Sequence, residues 1–146
     1  MLNALLPLLA FMFILCSCTQ KTVSPADIKA SEEELRRGYC SNDPKVAEKA
    51  LLAYRGLHEQ WKSNGITGFE YEYVFGWTDA RLMKLYSHVG DAERAEHYFR
   101  SAITNLAVVS ARRRGQPERM TREQLVQKLK KADNFLYPEM QWSHTE

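Results

Sequence analysis

Two cysteines one residue apart, Cys16 and Cys18, sit where an uncharged apolar run gives way to polar sequence. A third, Cys40, stands alone and cannot build a disulfide framework, so it reads either as an intermolecular bridge in an oxidising compartment or as a small half-buried thiol. The other residues able to carry chemistry are the carboxylates Glu70, Glu72 and Asp79. Glu72 and Asp79 lie seven apart, on one face of a helix, as glycoside hydrolysis by paired carboxylates would require. The same spacing also describes an ordinary solvated acidic face. The segment HEQWK, starting at His58, begins like a zinc-protease helix, but Lys62 stands where that motif needs its second histidine. His58, His88, His97 and His144 show no ligand spacing, although His88 and His97 flank a turn, and they are expected at the surface with no metal or cofactor. From Arg112 to Ala132, eight Lys or Arg stand against two Glu. Such a stretch could meet lipid phosphates or cell-wall carboxylates. Alternatively, Arg112, Arg113 and Arg114 favour a helix C-terminus through its dipole, while Lys128, Lys130 and Lys131 solvate the last helix.

The run ALLPLLAFMFIL, Ala4 to Leu15, is too short for the roughly 20 residues of a spanning helix but fits the core of an export signal. The boundary LCSC (Leu15, Cys16, Ser17, Cys18) resembles the bacterial lipobox: an aliphatic residue, a tolerant position, a small residue, then the cysteine that receives diacylglycerol. The resemblance implies lipidation at Cys18 after loss of residues 1–17. Bulky Leu15 before Cys16 excludes that cysteine from the same role. Thr19 rather than Asp after the cysteine resembles sorting to the outer membrane. An ordinary secretory signal cut after Thr19 is the alternative, and would release a soluble chain. Residues 18–30, polar and containing Pro25, read as lipidated cysteine and tether.

The remainder, residues 31–146, is rich in Ala, Leu, Glu, Lys and Arg and poor in β-branched residues, so the domain is expected to be all-α. Its 20 basic against 18 acidic residues in the whole chain give no reason to expect nucleic acid as a partner. Ser31 with Glu34 reads as a capping box for a short helix stopped by Gly38. Asp43 and Pro44 then open a long helix with Ala47, Ala50, Leu51, Tyr54, Leu57 and Trp61 on one stripe, ending at Gly65. A second long helix runs from about Glu70 to Val89, apolar on two sides. A third starts after Gly90 with Asp91 as cap. A fourth opens on a Thr121/Gln124 box and buries Leu125, Leu129, Ala132 and Leu136 before Pro138. The result is about four long helices behind one short one.

The hairpin from Ala80 to Ile103 carries Leu82, Tyr86, Gly90, Ala95, Phe99 and Ala102, and at these spacings it resembles one tetratricopeptide repeat, with Met83 where that family prefers a small residue. A fainter echo aligns Asp43, Ala47 and Glu48 with Asp91, Ala95 and Glu96. The resemblance implies a small tetratricopeptide-like bundle that presents helix faces to a protein partner. Carried over, the binding face is Trp77, Ala80, Lys84, Ser87 and His88, while a core role for Trp77 is the competing reading. The expected function is therefore that of a non-catalytic, membrane-anchored lipoprotein of the cell envelope, facing the periplasm, that binds protein. The alternatives are a small enzyme acting on cell-wall glycan through Glu72 and Asp79, or a basic module docking on anionic envelope polymers.

Overall fold

The computed structural model describes residues 23–138, and among them the only regular elements are five helices. These are α1 (Pro25–Tyr39), α2 (Pro44–Ser63), α3 (Tyr71–His88), α4 (Ala92–Arg114) and α5 (Arg122–Leu136). The described part of the chain is all-α, as expected from composition. None of the helices is long and apolar enough to cross a membrane. The apolar run Ala4 to Leu15, Cys16, Cys18 and His144 lie outside the described residues.

Local chemistry explains most of the boundaries. Asp43 accepts from the Lys45 amide at 2.8 Å and Pro44 follows at the first helical position, where its missing N–H costs nothing. Thr121 and Gln124 form the reciprocal box that opens α5. Gly90, with φ of 80°, makes the short turn between α3 and α4 that few other residues would tolerate.

The start of α1 differs from the sequence expectation. The helix begins at Pro25, capped by Ser24, whose hydroxyl accepts from the Asp27 amide at 3.2 Å while the Asp27 carboxylate accepts from the Ser24 amide at 3.1 Å. Ser31 is consequently internal and nearly buried, and its hydroxyl donates to the Ile28 carbonyl instead of capping anything. Residues 25–30 therefore belong to the helix and not to the tether expected over residues 18–30. Gly38 is not a stop either: it lies inside α1, at a close approach to Ala50 of α2.

α1 and α2 form one hairpin, α3 and α4 another, and α3 packs in addition against α2 and α5. The first cluster of buried residues joins Leu35 and Tyr39 of α1, Leu51 of α2, and Leu82 and Tyr86 of α3. The second joins Met83 of α3, Ala102 and Leu106 of α4, and Leu125 and Leu129 of α5. A third, aromatic, holds Trp61, Tyr71 and Phe75 at the α2–α3 corner. Met83 is accommodated because α5 covers it. Gly76 allows α4 to come close, since a methyl group there would sit 2.7 Å from Leu106 Cγ. Cys40 is half-buried against the first cluster.

Candidate functional site

The central helix α3 is held by two ionic ties, each with a buried carboxylate. Asp79 is fully buried and accepts from Arg55 Nε of α2 at 2.7 Å and from the Ser101 hydroxyl of α4 at 2.6 Å. Arg81 donates through Nε and Nη2 to Asp133 of α5 at 3.0 and 2.7 Å, and the Tyr39 hydroxyl of α1 donates to the other oxygen of that carboxylate at 2.9 Å. The guanidinium lies over the rings of Tyr39 and Tyr137 at 5.7 and 5.1 Å. Burial, reinforced by the Asp133 charge, raises the Tyr39 phenol well above its ordinary range, so it remains a neutral donor.

These ties leave an open groove of about 460 Å³ between α1 and α3, bounded at one end by Leu136 and Tyr137. Glu32 and Arg36 line its α1 side, and Tyr73, Trp77 and Arg81 its α3 side, with Tyr54 of α2 beneath. The Glu32 carboxylate acts on Tyr54 after burial does, and the two together push that phenol up to about 12. The Arg81 charge is matched by Asp133, so the floor of the groove is aromatic and close to neutral.

Of the five residues expected to form the partner face, Trp77 alone lines this groove. Its ring is half-buried against the second cluster, which joins the two readings of that residue, and its indole N–H has no acceptor among the described residues. Lys84 is half-buried farther along α3, and His88 is the last residue of that helix. Ser87 is exposed, donates to the Met83 carbonyl at 2.9 Å, and borders a separate depression with Glu96 and Arg122. Ala80 is fully buried, so it is removed from any face open to a partner. Tyr54, Arg81 and Tyr137 are groove residues that sequence reasoning missed. The signal for Arg81 was a charge set inside the apolar run of α3; Tyr54 had been assigned to a buried stripe.

The glycoside reading is corrected by geometry. Glu72 is paired with Arg112 at 2.7 Å and with Lys62 at 3.2 Å, and these bonds, the Arg112 one foremost, hold its carboxyl down to about 2. Asp79 is sealed from solvent. A carboxylate that stays ionised and another that no glycan can reach do not make an acid and base pair.

The Glu72 ties carry a pH prediction. A carboxyl depressed from 4.5 to about 2 adds stability above 4.5 and loses it as pH falls toward 2. Glu72→Gln should therefore lower the unfolding free energy by about 2 kcal/mol at pH 7, and in urea titrations the gap to wild type should narrow below pH 4.5 and close only at about pH 2. A gap unchanged by acid would mean that the ties contribute nothing through charge.

The basic run is largely neutralised. Arg112, Arg113, Arg114, Arg122 and Lys128 pair with Glu72, Glu70, Glu118, Glu96 and Glu118 respectively. His58 is not a surface residue as expected. It is buried among Tyr54, Trp61 and Phe69, with ring centroids 4.4, 4.7 and 5.7 Å away, and burial lowers its pKa. No three His, Cys, Asp or Glu side chains are grouped to hold a metal among the described residues. Comparison with family models, with curated proteins and with solved structures finds nothing that matches this chain.

Proposed function

We propose that the chain is a lipid-anchored envelope protein, acylated at Cys18, whose tetratricopeptide-like helices hold a protein partner in the groove between α1 and α3. What supports the repeat-like reading is the packing order: hairpin α1/α2, hairpin α3/α4, and α2 against α3. What supports lipidation is the sequence LCSC after an uncharged apolar run. The partner is placed in the periplasm, with the outer membrane as the anchoring bilayer.

One observation carries the binding site. The groove is walled by aromatic surface from Tyr54, Tyr73, Trp77 and Tyr137, with the Trp77 ring only half-buried. An extended polypeptide in the groove offers side chains that cover this aromatic surface. The partner face is accordingly centred on Trp77, with Lys84, Ser87 and His88 peripheral to it.

Photo-crosslinking from Val74, which lines the groove, tests this in cells. The expected result is one specific adduct, weakened at least ~30-fold by Trp77→Ala and about 3- to 10-fold by Trp77→Phe, which keeps an aromatic ring but not the full indole surface. Ser87→Ala should leave it unchanged. An adduct indifferent to both Trp77 variants would remove the groove from the function. Intact mass of the membrane-extracted protein tests the anchor independently: a diacylated N-terminal Cys18 is expected, and a chain retaining Met1 would overturn it.

A further inference from the structure

The structure sorts the basic run between Arg112 and Lys131 into paired and unpaired charges. Five cations have carboxylate partners, whereas Arg119, Lys130 and Lys131 have none among the described residues. Two of these three lie at the C-terminal end of α5, both exposed. The same helix end carries Phe135, which is 85% exposed, more than any other large hydrophobic residue described. Lys131 stands four residues before Phe135, one turn away on the same helix face.

We infer that the C-terminal end of α5 is a docking point for an anionic bilayer, with the Phe135 ring entering the headgroup region while Lys130 and Lys131 meet lipid phosphates. An isolated exposed aliphatic residue needs no explanation. A nearly naked phenylalanine with unpaired cations at its base is a different case, because the ring gains from apolar surroundings while the long lysine stems keep their ammonium groups at the polar boundary. The ring stands out from the end of a helix. A soft medium takes such a protrusion without a shaped pocket, whereas a protein would need complementary surface around it. Self-association through this end would set the lysines of two copies against each other. Each cation near an anionic surface adds roughly 1 kcal/mol of attraction, and the effect fades with salt. The inference is independent of the groove: it concerns how the domain rests on the bilayer, not what it holds.

Hydroxyl-radical footprinting of the full chain, read at Phe135 by peptide mass spectrometry, tests it. Vesicles of phosphatidylcholine alone are compared with vesicles one-third phosphatidylglycerol, so that any general adherence of the apolar leader is common to both arms. Oxidation of Phe135 should fall at least ~5-fold on the anionic vesicles only, and return on K130E/K131E substitution or at about 1 M salt. Both lysines are exposed, so the double variant keeps the fold. Equal oxidation on the two vesicle types overturns the proposal. So does protection already present without lipid, which would mean that another segment or a second copy covers the ring. Protection by soluble polyglutamate as strong as that by anionic vesicles would also overturn it, in favour of an acidic polypeptide.

Discussion

Replacing Asp133 with alanine should destabilise the domain by about 3–5 kcal/mol, because it leaves the Arg81 guanidinium buried without its counter-charge. Arg81 and Asp133 expose only 7% and 1% of their side chains, so water cannot take over the lost bonds. The Tyr39 hydroxyl loses its acceptor in the same step. A loss of this size is a third or more of the total stability of many domains, and it should appear as a fall in the urea midpoint with little change in slope. The decisive control is the double variant Arg81→Met, Asp133→Leu. If the cost comes from an uncompensated charge, the apolar pair recovers most of it. If the double variant is as unstable as the single one, packing rather than charge is the cause. Because Asp133 ties α5 to α3 and to α1, its loss should also loosen Leu136 and Tyr137 at the end of the groove.

Gly38→Ala should cost about 2–3 kcal/mol, although alanine is the better helix former by close to 1 kcal/mol. The added methyl would collide with the Ala50 methyl across the α1–α2 contact, and both carbons are fixed to the backbone, so neither can swing aside. The hairpin must open by a few tenths of an ångström or more, which disturbs the Leu35, Tyr39 and Leu51 packing beside it. Moving the methyl instead of adding one makes the test specific: Gly38→Ala with Ala50→Gly restores the close approach and should regain most of the loss. Gly56 provides the opposite sign. It lies on the exposed side of α2 with nothing near its missing Cβ, so Gly56→Ala should stabilise by roughly 0.5–1 kcal/mol in the same titrations. A stabilised Gly38→Ala chain would show that α1 and α2 do not meet as described.

The helices were legible because their signals are local. Asp43 with Pro44, Thr121 with Gln124, and Gly90 with Asp91 each act within four residues, and the structure places helix ends beside all of them. The start of α1 was misplaced although Ser24, Pro25 and Asp27 form an equally good cap. The polar composition around them suggested a tether. What stabilises that first turn in addition is distant: Ile28 packs against the aromatic cluster formed by Trp61, Tyr71 and Phe75. Gly38 was misread for the same reason. Its role depends on Ala50, a residue of the next helix.

The candidate site was less legible than the helices. Trp77 was singled out from its place on α3, but its neighbours in the groove come from α1, α2 and the end of α5. The apolar stripe read for α5 ran through Ala132 and Leu136, whereas the buried position after Leu129 is Asp133. A charge at a stripe position looks like a defect until its partner is known, and Arg81 stands 52 residues away. The carboxylates Glu72 and Asp79 show the converse. Their spacing suggested reactivity, and their environments removed it, one by pairing and the other by burial.

By itself the sequence determined the secondary structure class, most helix ends and the α3–α4 turn, because hydrogen bonds of caps and the periodicity of side chains act over a few residues. Only the tertiary structure decided which ionisable groups are buried, paired or exposed, and so which surfaces are left for function. The energy of a charge depends on what surrounds it in space, and for Arg81, Asp79 and Glu72 those surroundings are assembled from helices far apart in the chain.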